Sequence, residues 1–346
     1  MSLVTRSLHR RRPAMVTSLL LAGCLGTSSA LAGCSALSDD AGSGSGSGSG
    51  VVAAFYPLEY TAERVAGDLI EVKGLAQPGV EPHDLELTIN ETALIADAAV
   101  VVFEADFMPA VDEAVEQNAD GEVLDVTAAA DLIAVDDEEG HEEEEGHEEE
   151  EGHEEEEGHE EEEGHEEEEG HDHGDLDPHF WLDPLRMADV ADAIADALAE
   201  VDADNADEYA ANAADLRADL ESLDEAYASG LADCDRDTIV VSHDAFGYLG
   251  RYGLQIAPIA GLSPDAEPTP SDRAELERLI ERDGITTVFS ERLAPTRLTD
   301  TLAEDAGVST EILDPIEGLT DETADEDYLS LMEQNLEALE RANGCR

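Results

Sequence analysis

The sequence predicts an α/β fold with two lobes, each built on a parallel sheet, joined by a long helix. Over most of the 346 residues, short β-branched runs alternate with longer amphipathic runs, which is typical of parallel sheets covered by helices. The stretch from Pro184 to Leu231 shows only helical periodicity. Hydrophobic residues make up 42% of the chain, which is enough for sizeable cores in one large or two medium domains.

The N-terminus has the features of an export signal. Several arginines precede a mildly apolar stretch rich in small residues, and the sequence LAGC ends both at Cys24 and at Cys34. LAGC resembles a lipobox, whose cysteine is lipid-modified. We assign residues 1–34 to a signal peptide and choose Cys34, because cleavage at Cys24 would leave an unusually short apolar core. A transmembrane anchor is the alternative. Residues 35–50, rich in Gly and Ser, are predicted to be a flexible tether.

Seven short runs are predicted strands, and helices fill the gaps between them. One helix follows the cap residue Thr269 and reaches Arg282, and another covers Asp327 to Ala342. Tyr209, Leu216, Leu220, Leu223 and Tyr227 have helical spacing, so Asp204 to Gly230 would be a spine if it is one uninterrupted helix. The predicted strands are Val51–Tyr56, Leu69–Leu75, Ala99–Phe103, Thr238–Ser242, Gln255–Ile259, Ile285–Ser290 and Thr310–Leu313.

The chain is strongly acidic, with 87 Asp and Glu against 17 Lys and Arg and a formal net charge of −70. Such a surface repels phosphate backbones, which excludes nucleic-acid binding as a main role. Acidic residues predominate outside residues 136–175 as well. We therefore interpret the chain as a protein of a salt-rich cell or medium, where ions screen its self-repulsion. An ordinary protein with one acidic tract is the alternative.

Residues 136–175 form a low-complexity tract in which Gly-His-Glu-Glu-Glu-Glu recurs with a period of six. This period matches neither a helix nor a strand, and the charge density prevents a core, so we expect a disordered loop. Imidazole and carboxylate bind divalent ions, which predicts a weak, multi-site metal collector. An acidic insertion without a metal role is the alternative. The tract histidines are His141, His147, His153, His159, His165, His171 and His173.

Three histidines remain once the tract and the leader are set aside: His83, His179 and His243. Each lies at a strand-to-helix or loop junction, and ligands bind at the carboxyl ends of strands in α/β sheets. We interpret the three as one metal site; three unrelated histidines are the alternative. Three imidazoles and one oxygen form a zinc-type ligand set, whereas manganese prefers more carboxylate. Asp314, after the last predicted strand, is the predicted fourth ligand, and water is the alternative.

Five segments of the body resemble the zinc-specific, ZnuA-like solute-binding proteins of ABC importers. The resemblance covers Val51 to Ala342 and implies two Rossmann-like lobes joined by a rigid long helix. It also implies one metal site in the cleft between the lobes, with His83, His179 and His243 as ligands, and delivery to a membrane permease and its ATPase. Related manganese binders typically have a carboxylate at the position of His243, so this histidine favours zinc. The segments are PGVEPHDLELT, DPHFWLDP, SHDAFGYL, GLSPDAEPTPS and VFSE.

The predicted domains are an N-terminal lobe at 51–183, a helical linker at 184–233 and a C-terminal lobe at 234–346. The two cysteines of the body, Cys234 and Cys345, would lie outside the reducing cytosol and could form a disulfide. Two free thiols are the alternative.

We predict an exported, monomeric zinc-binding protein that is anchored to the outer face of the membrane and is not an enzyme. A manganese-specific member of the same family is one alternative. A surface metal buffer or adhesin-like protein that uses the tract is another. A metalloenzyme with an open three-histidine site is the third, although the chain has no HExxH motif.

Overall fold

The computed structural model describes residues 49–134, 176–264, 266 and 268–346. The predicted signal peptide with Cys24 and Cys34, the tether up to residue 48, and the tract with its seven histidines lie outside the described residues. Within the described part of the chain, no helix is both long enough and apolar enough to cross a bilayer.

The N-terminal lobe is built on a parallel four-stranded sheet with the order β2-β1-β3-β4. The central strands are buried along their whole length, as expected for a parallel sheet with helices on both faces. The strands are β1 (Val51–Ala53), β2 (Val72–Gly74), β3 (Val100–Phe103) and β4 (Glu122–Asp125). The helices are α1 (Tyr56–Ala66), α2 (Ile89–Asp97), α3 (Pro109–Asn118) and α4 (Thr127–Ala130).

A short antiparallel pair follows, formed by β5 (Ile133–Ala134) and β6 (Leu176–Asp177). It brings together the two described residues that flank the tract. The next elements are the helices α5 (Pro184–Val201) and α6 (Ala206–Gly230). Asp183 begins α5 by accepting a hydrogen bond from the amide of Leu185.

The C-terminal lobe repeats the parallel arrangement, with the strand order β10-β9-β7-β8. Capping boxes begin its first and last helices at Thr269 and Asp327. The strands are β7 (Thr238–Val241), β8 (Gln255–Pro258), β9 (Thr287–Ser290) and β10 (Ser309–Ile312). The helices are α7 (Pro270–Asp283), α8 (Arg297–Ala306) and α9 (Tyr328–Asn343).

The predicted α/β fold with two parallel sheets is confirmed, and each predicted strand overlaps an observed one. The run Val51–Tyr56 is a shorter strand than predicted because Pro57 lies in the first turn of α1. Strand β4 was not predicted: it lies at the sheet edge and is largely exposed, so it lacks the buried β-branched run that identifies its neighbours.

Helix α6 connects the two lobes. Its predicted apolar face is buried, from Tyr209 to Tyr227, and it contacts both α1 and α9. At 1.5 Å per residue, α6 is about 38 Å long. By contrast, α5 packs on β3, β4 and α1 and so covers the N-terminal sheet. One apolar core therefore extends from the first sheet along α6 into the second lobe.

Cys234 and Cys345 form a disulfide in the structure. It joins the end of α9 to the segment that follows α6, next to the hydrogen bonds that Arg236 donates to the carbonyl of Ala342. The end of the C-terminal helix is thereby attached to the segment with which the second lobe begins.

Candidate metal centre

Four side chains from four different loops converge between the lobes. His83 lies in a short turn, Pro82–Asp84, after β2, and Glu81 begins this turn by accepting the amide of His83 at 3.3 Å. His179 follows β6, and His243 follows β7. Glu317 lies in the loop after β10. Both lobes therefore contribute side chains to the cluster.

The four potential ligand atoms lie within 4.8 Å of one another. The Nε2 atoms of His83, His179 and His243 are 3.5, 3.4 and 3.5 Å from Oε1 of Glu317. The three imidazole rings surround the carboxylate with centroid separations of 5.3 to 6.0 Å. One ion could therefore contact all four side chains after small movements.

The atoms that face one another in this cluster are buried and lack hydrogen bonds. The side chains of His179 and His243 are 0% exposed and that of Glu317 is 1% exposed, while His83 is 15% exposed. Among the described residues, none donates to or accepts from the three Nε2 atoms or the two carboxylate oxygens of Glu317. Buried polar atoms that make no hydrogen bond are costly, and a cation bound by all of them would remove that cost.

Two carboxylates outside the cluster orient the rings of two histidines. Asp177 lies 2.8 Å from Nδ1 of His179 and also accepts the amide of that residue at 2.9 Å. Glu291 lies 2.6 Å from Nδ1 of His243 and accepts the hydroxyl of Ser242. A proton on Nδ1 leaves the lone pair of Nε2 directed at the centre. Carboxylates commonly hold metal-binding histidines in this way.

The predicted fourth ligand, Asp314, is not part of the cluster. Its Oδ2 lies 2.9 Å from Nε of Arg292, and its Oδ1 accepts the amide of Ile316 at 2.9 Å. These partners hold the carboxylate in its own turn, and Glu317, three residues later, reaches the histidines instead. Among the described residues, the geometry therefore favours Glu317 over Asp314 as the oxygen donor to an ion, because tertiary contacts set the direction of the turn after Asp314.

Comparison with known proteins identifies the family. The family model described as the periplasmic component A of the zinc-uptake complex, ZnuA, matches residues 51–342. The chain belongs to this family. The resemblance of the five sequence segments is thereby confirmed.

Individual members of the ZnuA family show the same relationship. The zinc-binding lipoprotein AdcA of Streptococcus pneumoniae is 36% identical over 298 residues, which cover 84% of this chain and 55% of that protein. The high-affinity zinc uptake system protein ZnuA of Bacillus subtilis is 33% identical over 84% of this chain and 86% of its own length. The chain thus spans about half the length of the streptococcal relatives that it matches.

The solved structure of the Zn(II)-bound ZnuA-like domain of Streptococcus pneumoniae AdcA has the same fold. It superimposes with a TM-score of 0.66 and 31% sequence identity, over 86% of this chain and 99% of that domain. The two-lobed architecture described above is therefore that of the ZnuA family.

The charges in the cluster favour exchange of protons for a metal ion. Burial alone would lower the pKa of His179, but its interactions with Asp177 and Glu317 outweigh this and raise the pKa to about 9. In the same way, Glu291 and Glu317 raise the pKa of His243 to about 10 against the effect of burial. Burial opposes ionisation of Glu317, but the three imidazoles hold its pKa well below the usual value. A divalent ion would replace protons already held there.

Proposed function

We propose that this protein is the extracytoplasmic zinc-binding component of an ABC importer, which captures Zn²⁺ and delivers it to a membrane permease driven by an ATPase. The observation that carries the proposal is the buried cluster of three Nε2 atoms and one carboxylate, all lacking hydrogen bonds within the described chain. Membership of the ZnuA family supports the transport role. Zinc is the cargo of the protein and not a catalytic cofactor.

The ligand set supports zinc over manganese. Three imidazole nitrogens and one carboxylate suit a borderline ion that prefers tetrahedral coordination. Manganese would be favoured by a more oxygen-rich set. The Zn(II)-bound AdcA domain with this fold is consistent with the choice.

The closed ligand set also supports transport over catalysis. A catalytic zinc keeps one coordination position open for water or substrate. Here four protein side chains surround the centre, and three of them are almost completely buried. Such a site is suited to binding an ion and releasing it through a conformational change.

The same proposal places the folded body at the outer face of the cell membrane. A lipid on Cys34, or on Cys24, would anchor the chain, and residues 35–50 would act as the tether. The tract between residues 136 and 175 would bind zinc weakly at several positions and raise its local concentration. The protein would act as a monomer.

The test is a competition titration of the mature protein lacking residues 138–174, in high salt, with zinc and then manganese. Trp181 is the single tryptophan of the chain, and its ring lies 5.3 Å from that of His179, so its fluorescence should report binding at the centre. We expect one tight zinc equivalent that manganese cannot displace.

Two single substitutions in the full chain distinguish this proposal from the alternative that the protein is a surface metal buffer. His179→Ala should weaken tight zinc binding by at least about a hundredfold because a central ligand is lost. His147→Ala, within the tract, is the matched control and should leave the tight site unchanged. Equal effects of the two substitutions, or absence of tight binding in the tract-deleted protein, would show that the tract and not the cleft is the functional element.

A further inference from the structure

Glu317 is presented by a turn whose backbone is strained. The residue before it, Ile316, has φ of 61° and is 0% exposed. Left-handed backbone is unfavourable for any residue with a side chain and is a clear outlier for a β-branched one. Such a conformation persists only where surrounding contacts over-determine it, so the contacts of this turn decide where the Glu317 carboxylate lies.

The C-terminal lobe fixes the start of the turn. Asn335 donates to the carbonyl of Asp314 at 2.6 Å and accepts its amide at 2.9 Å. Asp314 in turn accepts the amide of Ile316 at 2.9 Å. These bonds hold the residues before Glu317, but they lie within the lobe that carries Glu317. They therefore do not set the distance of its carboxylate from His83 and His179, which belong to the other lobe.

The N-terminal lobe reaches the turn through Trp181. The indole Nε1 of Trp181 donates to the carbonyl of Pro315 at 2.7 Å. The main-chain carbonyl of Trp181 accepts the hydroxyl of Tyr328, so two polar groups of this residue bind the C-terminal lobe. Trp181 is 0% exposed and lies two residues after His179. It therefore connects a segment that carries a histidine ligand to the strained turn that carries the carboxylate.

We propose that the indole N–H of Trp181 is a positioning group for zinc: it holds the strained turn so that the carboxylate of Glu317 reaches the three imidazoles. This inference rests on the proposed zinc-binding function. It assigns Trp181 a role distinct from core packing, since only the N–H donor is required for it. A consequence is that the carboxylate is in place only while the loops of the two lobes are in contact, so separation of the lobes would weaken the site.

A double-mutant cycle on the full chain tests the inference, with zinc affinity measured by competition with a chromogenic chelator. Trp181→Phe keeps an aromatic ring and removes the donor; loss of one hydrogen bond corresponds to roughly a five- to tenfold weaker affinity. Glu317→Gln should weaken zinc binding more than Trp181→Phe does. In the Glu317→Gln background, Trp181→Phe should have no further effect, because the group that it positions is already lost.

A second set of variants relieves the backbone strain at Ile316. Ile316→Gly allows the left-handed backbone without penalty, so the loss caused by Trp181→Phe should be smaller in that background. Because the chain has one tryptophan, replacement by benzothienylalanine in an auxotrophic host removes the donor and keeps the bicyclic shape. This replacement should reproduce the effect of Trp181→Phe and covers the case in which the phenylalanine variant does not fold.

The possible results distinguish failure of the positioning role from failure of the proposed function. An equal loss from Trp181→Phe with and without Glu317, or unchanged zinc affinity with benzothienylalanine, would overturn the positioning role while leaving the zinc site intact. Failure of the unaltered chain to bind zinc tightly would instead overturn the proposed function.

Discussion

The carboxylate of Glu317 has an electrostatic role that none of the histidines can fill. A divalent ion in a buried site is strongly disfavoured unless charged ligands compensate it. Glu317 is 1% exposed and its pKa is held well below the usual value by the surrounding imidazoles, so it remains ionised. It is the one carboxylate in the described cluster and would supply the negative charge at a bound ion.

The first prediction at the residue scale compares Glu317→Gln with Asp314→Asn. Glu317→Gln removes the charge and should weaken zinc binding by about a hundredfold, comparable to loss of a metal-site residue. Asp314→Asn is the matched control: its side-chain oxygen can still accept the amide of Ile316, and affinity should change less than about threefold. Isothermal titration against a competing chelator measures both. If Asp314→Asn instead weakened zinc binding more than Glu317→Gln, Asp314 would be the ligand.

The second prediction concerns protons. Because the pKa values of His179 and His243 are raised to about 9 and about 10, both hold a proton at pH 7.5 when zinc is absent. Zinc requires neutral imidazole, so binding should release about two protons. The affinity should therefore rise with pH until both imidazoles are neutral, steeply up to about pH 9 and less steeply up to about pH 10. Titration calorimetry in two buffers of different ionisation enthalpy measures the release, and absence of any buffer dependence would contradict the expected protonation.

At the scale of single elements, the loops supply the four clustered side chains, and helix α6 packs against both of the lobes that carry those loops. The buried face of α6 includes Leu216, Leu220 and Leu223, and the core is continuous along it. Packed interiors resist deformation, so a helix that is buried against both lobes limits how far they can move apart. Zinc capture and release should then need only small displacements of the loops.

The prediction for this element is that Leu220→Ala lowers the free energy of unfolding by about 2–5 kcal/mol, the usual cost of a cavity in a core. Leu220 is 1% exposed. Glu221→Ala, on the exposed face of the same helix, should change stability by less than about 0.5 kcal/mol. Denaturant unfolding in high salt measures both variants, and equal effects would show that α6 is not a packed spine.

At the scale of the whole molecule, the net charge of −70 opposes compaction unless salt screens it. The screening length falls from about 8 Å at 0.15 M to about 3 Å at 1 M salt. We therefore predict that the midpoint of thermal unfolding rises steadily with potassium chloride concentration over this range. Sucrose at matched osmolality is the control for general exclusion effects. A midpoint that is independent of salt would contradict the interpretation of the chain as adapted to a salt-rich medium.

Features that are local or periodic can be predicted from the sequence alone. The β-branched runs and capping residues such as Thr269 predicted the strands and helices, and the spacing of Tyr209 to Tyr227 predicted the buried face of α6. The scarcity of histidine in the body singled out three residues, which the structure brings to one point. These properties depend on neighbouring residues and on side-chain chemistry, which a linear sequence displays directly.

Which carboxylate lies beside the three histidines depends on the tertiary fold. Asp314 and Glu317 lie in the same loop, and composition favours neither of them. Asp314 is directed to Arg292, while a left-handed backbone at Ile316, held by Trp181 from the other lobe, directs Glu317 to the centre. The edge strand β4 and the roles of Asp177 and Glu291 likewise could not be predicted from the sequence. Each depends on contacts between distant parts of the chain, and such contacts exist only once the chain has folded.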